Sequence, residues 1–574
     1  MGRNAEPVRR FGALALAWVG LACAPAQSPL DGEGDLRAAL DALATAGGEP
    51  GIVSAAGTTR DDVPLLTLEN GSPFEASRPE RRLVIVGGLD GHPDGAGIVL
   101  DAVRWFKTEA AAEDRERWLV SALPMAVPAA DPTRTPAMFP PVDGFFDHPE
   151  SPESRYVWRW VAYQAPDLVV EVRVGDELRV QSGAAGAEGS GGLPAGSLAA
   201  ALVDPANQTG LGPVDALLVT ADAVDGAAVM REALSRAPDG QSPLRAVLAG
   251  RMARDPLTIA RLLARRYPGT PSVSYIPALA WVHTLRVAEM DGDSSLRDKV
   301  MEEIRPWLSG GQPLFGERVH FASVAGTMIF AQLAKSPGAD SDTAARLAAE
   351  GVALSAAETA PGVPRHGSGW SDDFFLGTIA SVRAGDPEGL AAAVRLVTTT
   401  AARLQQPSGL FHHDAGSPAA WGRGNGFGAL GLSELLTVLP ESHPDRTAVL
   451  DIHRRHLAGM RANQAPDGMW RQVVDVPGSY RETSVTAMTL TAMARGMRLG
   501  WLDESYRPAV DRAWRALLAH VLQDGTLVDV CIGTGAGPTL RYYLDRPAVN
   551  GADDRGGAMV LGAALEYYDL VQAD

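Results

Sequence analysis

The chain has little cysteine: two residues in 574, Cys23 and Cys531. Cys23 lies in an N-terminal segment that reads as an export signal, so one thiol remains and no intrachain disulfide can form. Beyond that segment no apolar run is long enough to span a bilayer. Positive charge is also short, with 51 Lys and Arg against 69 Asp and Glu and a formal net charge of −18. That balance argues against nucleic acid and against anionic membranes as partners. An anionic small molecule is still admissible, but its site has to be locally basic.

The export segment is residues 1–26. Arg3, Arg9 and Arg10 precede the apolar run FGALALAWVGLACA, and Ala24-Pro25-Ala26 offers a small-x-small cleavage site before Gln27. The expected location is secreted or periplasmic. Gly20-Leu21-Ala22 is a poor context for lipid attachment at Cys23. An exported chain without disulfides rests on its core, and this one is long enough for two domains.

Residues 27–248 read as α/β. Strand-like runs are LLTLEN (65–70), RLVIVGG (82–88), WLVSAL (118–123), DLVVEVRV (167–174) and ALLVTA (216–221), with helical stretches near 95–108, 151–164 and 224–235. SGAAGAEGSGGLPAGS (182–197) reads as a flexible loop. After one strand come Asp90, His92 and Asp94, a possible zinc set or simply a polar turn.

From Asp255 onward the pattern is helical throughout. Twelve amphipathic segments are expected, at 256–267, 277–291, 294–307, 320–335, 342–358, 372–385, 387–405, 427–438, 446–464, 482–499, 505–522 and 555–571. Short connections make such helices antiparallel hairpins. The longer loops, 359–371, 406–426, 465–481 and 523–554, hold most of the unusual residues, which favours a closed ring with one functional face.

Chemistry concentrates between Arg365 and Leu435. Trp370, Asp372 and Asp373 place two acids beside an aromatic, and His412 and His413 precede Asp414. In WGRGNGF, Trp421, Arg423 and Asn425 alternate with glycine ahead of an apolar helix expected to start at 427. A loop of this kind lets backbone approach a ligand, and its arginine can grip a carboxylate. It is equally a glycine-rich turn with a solvated Arg and a core Trp. Asp372 and Asp373 diverge by about 100° on a helix, so they cannot both serve one reacting atom. Either acid can simply offset the macrodipole of a first turn. If one is catalytic it acts singly, and Trp370, Phe374 and Phe375 would keep it protonated.

WSDDFFL, GLFHH, WGRGNGF, YRETSVTAMTLTAMARG and VCIGTGAGPTLRYYLDRPAVNGADDRGGAMVL follow one another in this order. Together they resemble glycoside hydrolase families 88 and 105, the unsaturated glucuronyl and rhamnogalacturonyl hydrolases, over about residues 250–574. The resemblance implies an (α/α)6 barrel and no cofactor or metal. It implies an unsaturated oligosaccharide substrate, with Δ4,5-unsaturated uronic acid removed from the non-reducing end by hydration of the enol ether. It also implies that Asp372 is the general acid and base, and that Trp370, His413, Trp421, Arg423 and, loosely, Asn425 form the substrate site. Two features depart from the family: a short connection from His413 to Trp421, and no acid on the early inner helix, where Glu317 is the nearest carboxylate.

The α/β domain more weakly resembles zinc carboxypeptidases, with the ligand positions falling on Asp90, Pro93 and Arg173. Proline has no side-chain donor and arginine stays cationic, so a non-catalytic domain without zinc is expected. The expected architecture is therefore multi-domain: a carboxypeptidase-like α/β domain (27–248), then an all-α (α/α)6 barrel (250–574) able to act by itself. Glu482 and Asp553-Asp554-Arg555 read as helix caps, and the glycines from Gly533 to Gly537 lack a phosphate loop's lysine. The competing function is a non-catalytic carbohydrate-binding protein, which would keep Trp421 and Arg423 but have no use for Asp372.

Overall fold

The computed structural model describes residues 32–47, 50–75, 80–128, 137–141, 152–187, 192–207, 209–336 and 338–573. The segment read as an export signal lies outside them. No helix among the described residues is long and apolar enough to cross a membrane.

The first part of the chain builds a seven-stranded sheet. Its strands are β1 Ile52–Thr58, β2 Pro64–Glu69, β3 Arg81–Val86, β4 Trp118–Leu123, β5 Leu168–Val174, β6 Arg179–Gly183 and β7 Asp215–Ala221, in the order β1-β2-β4-β3-β5-β7-β6. The central β4-β3-β5-β7 run is parallel, and the outer pairings are antiparallel. Strand β3 shows how both faces are used. Leu83 and Ile85 face a core built with the helices Glu33–Thr45, Pro93–Thr108 and Gly226–Ser235, whereas Val84 and Val86 face the other core.

Two strands depart from the sequence expectation. Strand β1, IVSAAGT, is Ala/Gly-rich because the ring of Tyr156 packs onto it: a Cβ on Gly57 would lie 2.1 Å from that ring. Strand β6 is a polar edge whose end overlaps the stretch read as a loop.

The rest of the chain is a double ring of helices. The inner members are Tyr275–Asp291, Phe321–Gly326 continued by Met328–Ala334, Asp373–Leu376 continued by Ile379–Ala384, Gly422–Val438, Thr483–Arg498 and Asp554–Ala573. Each touches the next, and the last touches the first, so six inner helices close a ring. The outer members, Pro256–Arg266, Ser294–Leu308, Ser341–Ser355, Pro387–Leu404, Arg446–Ala462 and Arg507–His520, back them one for one. Asp-Pro starts and glycine stops set many of these ends. Asp255 and Asp386 cap helices whose first residue is proline, and Gly292 and Gly385 end helices at positive φ.

The inner helix expected at 427 begins at Gly422 instead. None of its glycines has positive φ. They are there for close packing: a Cβ would lie 2.4 Å from Arg471 O at Gly422, 2.3 Å from Ser371 Oγ at Gly424 and 2.1 Å from Phe374 O at Gly431. The motif read as a loop is the first turns of a helix pressed against its neighbours.

The second face of the sheet has no core of its own. Trp158, Trp160 and Tyr163 of the sheet domain share one cluster with Trp421, Met469, Tyr480, Cys531 and Tyr543 of the ring. Arg481 donates to Ala55 O (2.9 Å), Arg541 to Thr59 O (2.9 Å) and Arg251 to Ala519 O (2.9 Å), while Arg60 pairs with Asp545 (2.8 Å). These contacts count against the expectation that the ring stands alone.

Candidate active site

The inner helices run in one direction, so their starts meet at one mouth of the ring. Tyr275, Asp372, Arg423, Glu482 and Asp553 all lie at such starts. Aligned helix N-termini present unpaired N–H groups and a positive dipole end. Asp372, Glu482 and Asp553 stand at these starts and offset part of that dipole field. The opposite mouth holds a cavity of about 720 Å³ where helix C-termini gather. There Arg495 bridges Glu434 (2.8 Å) and Glu566 (2.7 Å), and Arg383 and Arg286 join the same acids. Cations at helix C-termini offset the negative dipole ends.

Asp372 precedes the short helix Asp373–Leu376, and its side chain makes no capping bond. It keeps 13% side-chain exposure, and its Oδ2 lies 3.1 Å from Nε2 of His413. His413 is fully buried, with Nδ1 2.9 Å from the Tyr543 hydroxyl. Tyr543 in turn meets Ser417 Oγ at 3.0 Å and accepts from Gly537 N–H at 2.9 Å. Burial pushes the Tyr543 phenol above its ordinary range, so it is a full hydroxyl at neutral pH. Half-buried Trp370 stands edge-on to His413 at 5.2 Å, and Trp421 lies behind it at 4.3 Å.

Asp373 has the opposite role. It is 1% exposed and accepts from Ser368 N–H (3.2 Å), Ser368 Oγ–H (2.9 Å) and Gly369 N–H (2.7 Å). Burial pushes its carboxyl up to about 6. Phe374 and Phe375 face the core, against Phe411 and Phe427. The acid they help to bury is Asp373.

Several proposed substrate contacts are taken up by the protein itself. Arg423, 2% exposed, donates to the carbonyls of Cys531 (2.6 Å) and Ile532, so its fork is not free for a uronate carboxylate. Burial works against its charge, but Cys531, Glu482, Tyr275 and Tyr480 around it more than offset that. Asn425 is fully buried and clamps Phe411 through both backbone groups (2.8 and 2.9 Å), with a further bond to Trp421 O. Trp421 is 1% exposed and packs behind His413 rather than offering a face to a sugar. His413 has both ring nitrogens engaged within the protein, one by Tyr543 and one by Asp372.

Trp370 and Asp372 are the predicted site residues that retain access to the mouth. Half-buried Tyr275 joins them; its phenol, pushed up to about 12 by burial, feels the charges of Arg423 and Asp372. Glu317, the carboxylate nearest the early inner helix in sequence, is exposed ahead of it. Glu482 caps its helix through Ser484 and Val485 N–H and also holds Cys531 N–H at 2.9 Å, which sets the carbonyl that Arg423 grips. The residues that sequence reasoning missed are Tyr543 and Ser417. Tyr543 lies in the RYYLDR part of the last motif, where no role was expected of it, and Ser417 lies within the expected loop 406–426.

A family model described as Glycosyl Hydrolase Family 88 matches residues 270–571, more than half of the chain. The chain belongs to that family. This Family 88 chain is 32% identical over 115 residues to an unsaturated 3S-rhamnoglycuronyl hydrolase of Alteromonas sp. (strain LOR), which covers 20% of this chain and 28% of that protein. It is 28% identical over 127 residues to an unsaturated rhamnogalacturonyl hydrolase of Bacillus subtilis (strain 168), covering 22% and 35%. Across such curated relatives the matched part spans from 28% to 66% of their length. A solved Family 105 glycoside hydrolase of C. acetobutylicum ATCC 824 aligns with 55% of this chain and 100% of its own, at 22% identity and a TM-score of 0.50, which shows a shared fold. Among the described residues no group of three or more His, Cys, Asp or Glu is placed to hold a metal ion.

Proposed function

We propose that this chain is a glycoside hydrolase that removes a Δ4,5-unsaturated uronic acid from the non-reducing end of lyase-generated oligosaccharides. Asp372 would protonate C4 of the enol ether, leaving an oxocarbenium ion at C5. The resulting carboxylate takes a proton from water as that water adds to C5, which restores the acid. The C5 hemiketal opens to a ketone, and C1 releases the remaining sugar chain. The supporting observation is the partly exposed carboxyl of Asp372 at the mouth where the inner helices start, joined to a buried histidine at 3.1 Å, in a Family 88 chain. A purely sugar-binding protein has no need for that pair. The relatives named for rhamnoglycuronyl and rhamnogalacturonyl substrates make those two linkage classes the first to try.

Asp372→Asn keeps size and loses the transferable proton. Turnover should fall by about 10²-fold or more with the melting temperature nearly unchanged. Lyase-digested pectin, ulvan and glycosaminoglycan serve as substrates, and loss of the double bond's ultraviolet absorbance is the readout. A fully active Asp372→Asn would remove the assignment, and an inert wild type on all three digests would remove the reaction.

For the sheet domain we propose a non-catalytic, carboxypeptidase-like fold. Its three matched positions have local tasks: Asp90 accepts from His92 N–H (3.0 Å), Pro93 opens a helix, and Arg173 pairs with Glu171 (2.7 Å).

A further inference from the structure

We infer that Tyr543 and Ser417 are positioning residues that fix the tautomer of His413 and thereby keep one proton on the Asp372–His413 pair. The kinetic consequence rests on the proposed reaction; the tautomer itself does not.

Hydrogen positions follow from the donor inventory. Ser417 Oγ lies 2.7 Å from the carbonyl of Gly537, which can only accept, so the serine hydrogen points there. Tyr543 stands 3.0 Å from Ser417 Oγ, and the tyrosine hydrogen must fill that gap. The Tyr543 oxygen already receives Gly537 N–H. Its remaining lone pair faces His413 Nδ1 at 2.9 Å, so Nδ1 carries a hydrogen. A neutral His413 then has a bare Nε2, and Asp372 Oδ2 is 3.1 Å from it. Two acceptors do not hold that separation without a proton between them. The proton sits either on the carboxyl, against neutral imidazole, or on the ring, against carboxylate. Both forms present the mouth with a pair that still has a proton to give.

Without the chain of hydroxyls the ring is free to choose. With Nε2–H pointing at Asp372, a carboxylate is satisfied without any extra proton, and the pair no longer holds that proton by geometry. Burial of His413, Ser417 and Tyr543 keeps water from taking over the missing contact. The charged and titratable groups around the pair are Asp373 on the same helix, Tyr275 and Arg423 at neighbouring helix starts, and Arg555 with Asp553 at the last inner helix. Glu482 lies behind Arg423, and Asp414 and Tyr542 flank Tyr543. Among the described residues His413 Nδ1 is hydrogen-bonded to Tyr543 alone.

Two measurements on the full-length protein test this. In ¹⁵N-histidine-labelled protein, with His413→Gln identifying the signals, His413 should show a protonated Nδ1, either neutral or as imidazolium. A neutral ring protonated at Nε2 would overturn the inference whether or not the enzyme turns over any uronide. In kcat/KM against pH, Tyr543→Phe and Ser417→Ala should each move the alkaline limb to lower pH by about one unit, the size of one charge-assisted hydrogen bond. A lowered plateau with the limb in place would mean ordinary packing roles and would also overturn it. Ser417→Ala leaves the Asp372–His413–Tyr543 side chains intact, so the test survives if Tyr543→Phe misfolds.

Discussion

Asp372 and Asp373 are neighbours in the chain with different environments, and the difference is measurable. The Asp373 carboxyl is raised by burial from 3.8 to about 6. A raised acid binds its proton more tightly in the folded state, so its contribution is complete below 3.8 and is lost as pH rises through about 6. A shift of about two units corresponds to roughly 3 kcal/mol. Wild type should therefore lose up to about 3 kcal/mol relative to Asp373→Asn between pH 4 and 7 in urea denaturation; a pH-independent difference would mean that the carboxyl is not buried as described. At this scale the sequence was partly legible. Asp372 and the Trp370 aromatic were marked by their motif, and the diverging helix positions correctly separated the two acids. The internal partners of Arg423, Asn425, Trp421 and His413 were not legible, because a residue type shows what a side chain can bind, not whether a neighbouring group of the protein already reaches it. Cys531 O and Phe411 O, more than a hundred residues and about a dozen residues away respectively, claimed two of them.

The helix Gly422–Val438 sets where Asp372 stands. A Cβ at Gly431 would be 2.1 Å from Phe374 O, two residues beyond Asp372, with backbone on both sides and no flexible side chain to yield. Gly431→Ala should force the two inner helices apart, cost about 1–3 kcal/mol of stability and move the carboxyl off His413. Melting and turnover should fall together; a variant as stable and active as wild type would show that the contact has slack. Helix count and most helix ends were legible because Asp-Pro caps and positive-φ glycines punctuate them. The start of this helix was not, since alternating glycines serve a loop and a crowded helix equally. Strands β1 and β6 escaped for a related reason: one is small-residue backbone under a tyrosine ring, and the other is a polar edge. The breaks at Thr327 and near Thr378 were also invisible, each marked by a threonine hydroxyl bonded back into its own turn.

The two parts of the molecule share one of its core clusters. The ring expressed as residues 250–574 would lose the sheet-domain half of the cluster that holds Met469, Val473, Tyr480 and Tyr543. Arg541, two residues before Tyr543, is tied to Thr59 and Asp62 of the sheet domain's β1–β2 turn. The isolated ring should aggregate or bind a hydrophobic dye and show little turnover; a monomeric, cooperatively melting, fully active fragment would contradict this. The division into an α/β part and a helical part was readable from periodicity, but their joint core was not, because a buried face carries no mark of which neighbour covers it. The mouth of the ring and the rest of the surface also differ in range. Charges beyond about 8–10 Å are screened in physiological salt, so an approaching anion first meets the field of a molecule with a formal charge of −18 and only at close quarters the helix starts. Capture is then a short-range event, and dissolved ions that hide the distant acids speed the encounter, the reverse of an enzyme that draws its substrate in from afar.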